Sequence, residues 1–290
     1  MTESALAYAK INISLDIISK REDGYHDLCT VMQTIDLSDE LTVECKPGDG
    51  ISVETNLSYL PGNEQNIAAK AAAAYYDHTG IKGNHTKIII KKNIPVCAGL
   101  GGGSTDGACV LKLLDRLYKT ELGNRKLEEI GILVGSDVPF CIEGGTKLVE
   151  GRGERLTSLQ PLPDSYIVIC KPAFQCSTPE LFKRVKCKKI QARPDTSGLL
   201  KAIDEGNING IAKRMYNVFE DLLPHGKSDI EEIKSAMLDH NALGAVMTGS
   251  GPSVLGLFNN KLNAIAAYEQ LKAYYTDCYM SETVNPKEHQ

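Results

Sequence analysis

No stretch of the 290-residue chain approaches the roughly 20 consecutive apolar residues that cross a bilayer. The N-terminal MTESALAYAK also lacks a basic segment leading into an apolar one. A membrane protein is therefore not expected, and the cytoplasm is the expected compartment. Positive charge is short as well: 32 Lys and Arg face 37 Asp and Glu, a formal net charge of −5. Such a chain has no global attraction for polyanions, which disfavours nucleic acid as a partner. Any phosphate-bearing ligand has to be held by a local site. Paired cysteines are missing too. The nine cysteines are odd in number, and none stands in Cys-x-x-Cys spacing or beside a ligand-spaced histidine. They read as free thiols rather than metal ligands or disulfides. There is no internal repeat and no low-complexity segment.

What is present is a mixture of strand and helix patterns. LAYAKINISLDII (6–18) alternates like a strand, and KREDGYHDL (20–28) is a polar loop. LTVECK and ISVETN flank the Pro47–Gly50 turn and look like a hairpin. NIAAKAAAAYYDHTG (66–80) is an alanine-rich helix stopped by Gly80, and TKIIIKKNIPV (86–96) is a β-branched strand. In TDGACVLKLLDRLY (105–118), Val110, Leu113, Leu114 and Leu117 make one apolar helical face. KLEEIGILVGSDVPFCIEGG (126–145) reads as a short helix, a turn at Gly135–Ser136 and a strand. Strand material follows to 172, broken at Gly151–Gly153, Pro161 and Pro163, where a soft boundary falls. Beyond it, helices are expected at about 178–187, 207–222, 228–240 and 261–275, with strands at 244–248, 253–258 and 277–283. Mixed elements in both halves imply an α+β or α/β protein of two lobes, 1–160 and 161–290.

Between the strand ending near 96 and the helix after 104, four of the five positions from Gly99 to Gly103 are glycine. A glycine-rich turn entering a helix lets backbone N–H groups approach an anion, and the helix N-terminus adds partial positive charge. A single glycine serves a tight strand-to-helix turn, so the excess points to a phosphate cradle. The dinucleotide-binding pattern is excluded, because Ser104 and Asp106 stand where its last glycine is required. HGKS (225–228) fails as a P-loop, because Asp221 replaces its first glycine. A second small-residue loop, MTGSGPSVLGLF (247–258), reads on its own as a hairpin.

Taken together, AYAKINISLDI, PVCAGLGGGSTDGA and MTGSGPSV resemble, in order, the three signature motifs of the GHMP kinases. REDGYHDL, GSDVPFC, GTKLVEGRGERL, PAFQCSTPELF and NVFEDLL extend the resemblance to the branch acting on a cytidine-diphosphate-linked methylerythritol. The resemblance runs from residue 9 to 258. It implies an α+β, two-lobed GHMP kinase fold, with an N-terminal lobe like ribosomal protein S5 domain 2, a C-terminal α+β lobe and an active site in the cleft between them. It implies transfer of the ATP γ-phosphoryl group, with Mg²⁺ as the ATP complex, to the 2-hydroxyl of the methylerythritol unit.

By motif matching, Asp137 would orient and deprotonate the hydroxyl, and Lys10 would stabilise that carboxylate and the charge building on the transferred group. A lysine pointing inward on an apolar strand is costly without a partner, which supports a site role for Lys10. The ATP cradle would span Pro95, Val96, Cys97, Ala98, Gly99, Leu100, Gly101, Gly102, Gly103, Ser104 and Thr105, with the Ser104 hydroxyl available to phosphate or Mg²⁺. Asn66 and Lys92 match positions near the nucleotide, although a solvated lysine before a turn is an ordinary alternative. Tyr25 and His26 match the cytosine-recognition segment, the ring stacking on the base and the histidine reading its polar edge. Asn12 shares the strand face of Lys10 and would contact substrate. Thr178 is a further substrate-side candidate, although STPE is also a common helix start. No residue is assigned as a metal ligand. Thr105 replaces the family's second serine and keeps its hydroxyl; Gly107 weakens the first helical turn; Val218 replaces a common aspartate and is assigned no role. A small-molecule acceptor and a monomer or homodimer are expected. Another GHMP kinase, acting on homoserine or a mevalonate derivative, and a non-catalytic nucleotide-binding protein of this fold are the alternatives.

Overall fold

A computed structural model of the chain describes residues 1–284. It opens on two long strands, β1 (Thr2–Lys20) and β2 (His26–Pro47), joined by the expected polar loop. The backbone forms two compact units: residues 1–9, 38–96 and 101–144 make one, and residues 10–37, 97–100 and 145 onward make the other. A division near residue 160 is linear along the chain, whereas these units interleave. β1, β2 and the glycine stretch each run through both.

In the first unit the strand order is β3-β4-β2-β1, with β3 at Ile51–Thr55 and β4 at Asn84–Lys91. The expected hairpin between 41–46 and 51–56 does not form. β4 lies between β2 and β3, antiparallel to the first and parallel to the second. Parallel strands need a crossover, and helix α1 (Ile67–Thr79) supplies it between β3 and β4. The Asn66 side chain caps α1 by accepting from Ala68 N, and Gly80 ends it at φ 70°. Its alanines pack on α2 (Gly102–Tyr118), whose Val110, Leu113 and Leu114 are fully buried. Each such side chain contributes about 1.5–3 kcal/mol on burial. Helix α3 (Gly123–Val134) follows, and then α4 (Val138–Glu143), where a strand is expected from sequence. The apolar VPFCI run is too short to separate the two by pattern. Pro139 suits a first helical turn, and Val138 and Ile142, four residues apart, both pack into the core of this unit. Gly131 makes room for them, because a Cβ there would lie 2.8 Å from Val138 Cγ1.

In the second unit β2 pairs antiparallel with β5 (Thr146–Gly151), which pairs with β6 (Arg155–Ser158). A four-stranded antiparallel sheet has the order β11-β7-β10-β9. Its strands are β7 (Tyr166–Lys171), β9 (Gly244–Met247), β10 (Val254–Phe258) and β11 (Asp277–Glu282). Short helices α5 (Thr178–Arg184), α6 (Thr196–Asp204) and α7 (Ile208–Ala212) precede β9. A single helix over 207–222 is not formed. After α7 the chain extends at β8 (Tyr216–Asn217), pairs parallel with Ser14 and Leu15 of β1, and turns into α8 (Phe219–Leu222). Helices α9 (Lys227–Asp239) and α10 (Lys261–Lys272) bury Ile230, Ile233 and Met237, and Ala264, Ala267 and Leu271, at helical spacing. Those side chains join Val168, Cys170 and Phe258 in the core of this unit. All nine cysteines are free thiols.

Candidate active site

In the first unit the glycine stretch enters α2 through Gly101 at φ 69°, a left-handed conformation that a side chain rarely adopts. No side chain caps α2, so its first-turn N–H groups keep the donors that an anion takes up. Packing gives Gly102 and Gly103 a different reason to be glycine. Their Cβ atoms would lie 3.1 Å from Ile94 Cγ2 and 2.9 Å from Ile67 Cδ1. Gly107 belongs with them: its Cβ would meet Ile67 and Ala71, so the glycine lets α1 and α2 close together. Two of the four glycines from Gly99 to Gly103 therefore also serve close packing.

The other predicted residues of this unit fall as follows. Ser104 Oγ lies beside Gly135, 3.9 Å from where its Cβ would be, in the turn before Asp137. Thr105 turns its hydroxyl onto Tyr8 O at 2.7 Å, so that group is already engaged. Asp137 stands at the start of α4 without capping it, and its carbonyl accepts from Cys141 N. Asn66 is held by its cap and by Pro61 O. Lys92 is not the solvated lysine that the sequence allows. It is buried, with its ammonium between Asp39 and Asp106. Burial pushes the Asp106 carboxyl above its ordinary value of 3.8, and Lys92 pulls it back down. Pro95 and Val96, both half-buried, lead into the glycine stretch.

In the second unit the remaining loop residues are Cys97, exposed at φ 53°, and Ala98, Gly99 and Leu100. Leu100 O accepts from Lys10 N at 3.1 Å, which ties the loop to β1. Lys10 is 3% exposed, and its Nζ donates to Asn12 Oδ1 at 2.7 Å. Asn12 Nδ2 donates to Thr30 Oγ1 and Asn12 N to Thr248 Oγ1, at 2.8 and 2.9 Å. The strand thus presents Lys10 and Asn12 on one face, as the two-residue spacing requires. The second and third signature motifs, the glycine stretch and MTGSGPSV, meet here backbone to backbone. A Cβ on Gly99 would sit 2.2 Å from Thr248 O, and one on Gly249 would sit 2.8 Å from Gly99 O and 3.3 Å from Lys10 Nζ. Gly99→Ala, with φ at 76°, is expected to destabilise the protein by about 3 kcal/mol. A thermal melt would read that as a loss of roughly 6–12 °C.

Asn217 holds the third motif from below, donating to Met247 O at 2.7 Å and Gly249 O at 2.8 Å. Sequence reasoning missed it. Its only signal is the NVFE segment, and the bonds span about thirty residues. Thr178 Oγ1 pairs with Ser250 Oγ at 2.6 Å, so the start of α5 reaches the same loop.

Tyr25 and His26 lie in the same unit. Tyr25 is 51% exposed, with the Arg152 guanidinium 4.2 Å above its ring. His26 is buried and stacks on Phe182, ring centroids 5.1 Å apart, and Phe182 in turn meets Phe219 edge-on. His26 Nε2 is buried and has no hydrogen-bond partner among the described residues. A buried ring nitrogen without a partner is a place for a ligand atom. Burial, and behind it the Lys20 ammonium, push His26 below its ordinary 6.5, so the imidazole is neutral at pH 7. Phe182 and Arg152 were not singled out from sequence, because His26 and Tyr25, the rings they meet, lie more than a hundred residues away. Among the described residues no group of three His, Cys, Asp or Glu side chains is placed to hold a metal ion. No helix there is long and apolar enough to cross a membrane.

The comparisons with known proteins can be set beside this geometry. Residues 66–145 match the GHMP kinases N terminal domain, and residues 199–277 match the GHMP kinases C terminal family. A 4-diphosphocytidyl-2-C-methyl-D-erythritol kinase from Caldicellulosiruptor saccharolyticus is 44% identical over 277 residues, 96% of this chain and 95% of its own. The crystal structure of a 4-(cytidine 5'-diphospho)-2C-methyl-D-erythritol kinase superposes with a TM-score of 0.78 at 30% identity, covering 98% of this chain and all of the other. Homoserine kinase from Cytophaga hutchinsonii shares the fold, with a TM-score of 0.75 at 20% identity over 97% of this chain and 94% of its own. The chain belongs to the 4-diphosphocytidyl-2-C-methyl-D-erythritol kinase family of the GHMP kinases.

Proposed function

We propose that this protein transfers the γ-phosphoryl group of ATP to the 2-hydroxyl of 4-diphosphocytidyl-2-C-methyl-D-erythritol, giving the 2-phosphate and ADP, a step in non-mevalonate isoprenoid precursor synthesis. The observation that carries the acceptor is His26: a buried, neutral imidazole whose Nε2 has no partner among the described residues, stacked on Phe182 and next in sequence to the exposed Tyr25 ring. A base with a polar edge and two π faces fits such a group, whereas homoserine and mevalonate have no ring to place there.

In this reading the acceptor hydroxyl oxygen bonds to the γ-phosphorus as the bond from that phosphorus to the β-bridging oxygen breaks. The hydroxyl proton goes to the Asp137 carboxylate, and ADP leaves with the electron pair. A tertiary alcohol is a weak nucleophile, so orientation contributes as much as basicity. Lys10 offsets the charge gathering on the transferred group, and Asn12 fixes the lysine and reaches substrate. The uncapped N–H groups of α2 and the loop from Pro95 to Thr105 take the phosphates, with Asn66 and Lys92 alongside. Mg²⁺ brought with ATP would supply neutralisation of the phosphate charge, and the Ser104 hydroxyl is the side chain of the loop that would be available to hold it. The reading includes a cytoplasmic monomer or homodimer with no nucleic-acid or membrane partner.

Two results follow. With Mg-ATP, ADP release is expected with the cytidine-linked acceptor and not with homoserine or mevalonate; release with either of those instead overturns the acceptor. The KM for the cytidine-linked substrate is expected to rise as pH falls through the His26 pKa, which burial holds below 6.5, because protonating His26 places a charge in a buried slot. Between the lowered pKa and 6.5 the folded state binds fewer protons than the unfolded one. This site's contribution to stability is therefore full above pH 6.5 and declines as the pH falls. A His26→Gln variant whose KM rises just as steeply as the pH is lowered below 6.5 would contradict the assignment.

A further inference from the structure

Asp39, in the second half of β2, carries no signal in the sequence and has no part in the chemistry above. Its carboxylate is completely buried, which is costly unless every lone pair is used. Oδ1 accepts from two consecutive backbone N–H groups, Asn93 at 2.6 Å and Ile94 at 2.8 Å. Oδ2 accepts from Lys92 Nζ. All three donors lie in the three residues immediately before Pro95, where the glycine stretch begins.

The far end of that stretch is tied to the same group. Lys92 Nζ also donates, at 2.7 Å, to Oδ2 of Asp106, the fifth residue of α2. A Cβ on Gly102, the first residue of α2, would lie 3.3 Å from that ammonium. The backbone of Lys92 is held in turn by Asn56, whose Oδ1 accepts from Lys92 N at 2.8 Å and whose Nδ2 donates to Lys92 O at 3.2 Å. One buried cluster therefore clamps the residues entering the stretch at 92–94 and those leaving it at 102–106. The direction of the uncapped first-turn N–H groups of α2 depends on that clamp.

An apolar pair holds a turn at least as cheaply as two carboxylates and an ammonium, so the ionic cluster is a poor way to gain stability alone. Its advantage is angular: charge-assisted hydrogen bonds fix direction, which apolar contacts do not. We infer that Asp39 is a positioning residue for the nucleotide, acting through Lys92 and Asp106 on the phosphate-binding backbone. This rests on the reading of the glycine stretch as the ATP site.

The test is Asp39→Asn, which keeps the shape and an acceptor for the two backbone N–H groups but removes the charge facing Lys92, alongside Asp39→Ala. For each variant, per mole of protein folded in a thermal melt, the KM for ATP is measured at saturating acceptor and the KM for acceptor at saturating ATP. The Kd of ATP is measured by calorimetry without acceptor. The expected result for Asp39→Asn is a rise of about tenfold in both KM and Kd for ATP, with the KM for acceptor changed less than twofold. Where Asp39→Ala fails to fold, Asp39→Asn decides. A lowered melting temperature with unchanged Kd for ATP, or an equal rise in both KM values, overturns the inference. Because the Kd is read without acceptor, failure of the acceptor assignment in the wild-type protein stays distinguishable from failure of this one.

Discussion

Asp137→Ala is expected to lower kcat by about a thousandfold, at the centre of the range for loss of a positioned general base. The residue stands at the N-terminus of α4, directly after the Gly135–Ser136 turn that lies beside Ser104 Oγ. The side chain makes no capping bond to that helix, so the helix start is expected to survive the change, and calorimetry is expected to show ATP binding close to that of the wild-type protein. Both KM values are expected to stay within a few fold, because the lost interaction is one made in the transition state. Unchanged kcat would remove Asp137 from the chemistry, and a collapse of ATP binding would move it from catalysis to the nucleotide site.

Lys10→Met is the second large effect. Methionine keeps the length and apolar stem of lysine while deleting the ammonium, so the 3% exposed site stays filled. Asn12 Oδ1 loses its 2.7 Å donor and keeps only the Thr248 hydroxyl at 3.4 Å. That costs about 1 kcal/mol of stability. The effect on kcat is expected to be larger, about a hundredfold or more, as for removal of one donor aimed at developing charge. Rapid-quench measurement of the first turnover separates this from slow product release. Combined with Asp137→Ala, the losses are expected to fall well short of multiplying if, as proposed, the two groups serve one step. Strict multiplication would show that they act independently.

The backbone geometry of the candidate site was partly legible in the chain. Gly99 and Gly101 sit at positive φ with backbone pressed against them, which glycine alone tolerates, and a cluster of such positions before a helix is visible as sequence. Lys10 and Asn12 were placed on one face by the period of a strand. Gly102 and Gly103 have a further reason to be glycine in Ile94 and Ile67, contacts that no local pattern reveals. Phe182, Asn217 and Asp39 were not legible. Each acts through a partner brought to it by the tertiary path of the chain, and each looks locally like an ordinary core aromatic, turn amide or solvated strand carboxylate.

The misread elements share a physical cause. Two β-rich segments around a Pro-Gly turn look like a hairpin, but α1 needs a sheet face to cover. The crossover it makes sets β3 parallel to β4 rather than antiparallel to β2. The VPFCI run has strand-like composition. Helical geometry places Val138 and Ile142 together against the gap at Gly131, and that packing outweighs propensity. The 207–222 segment breaks because Asn217 is drawn to the carbonyls of Met247 and Gly249. In each case a contact distant in sequence overrides a local preference.

The most direct test of the account is the product itself. The purified protein is incubated with Mg-ATP and 4-diphosphocytidyl-2-C-methyl-D-erythritol, and the mixture is followed by ³¹P NMR and mass spectrometry. The account predicts one added phosphoryl group, a new phosphomonoester signal on the tertiary 2-hydroxyl and an equal amount of ADP. ATP bound without turnover, or a phosphomonoester formed only on homoserine or mevalonate, would contradict it.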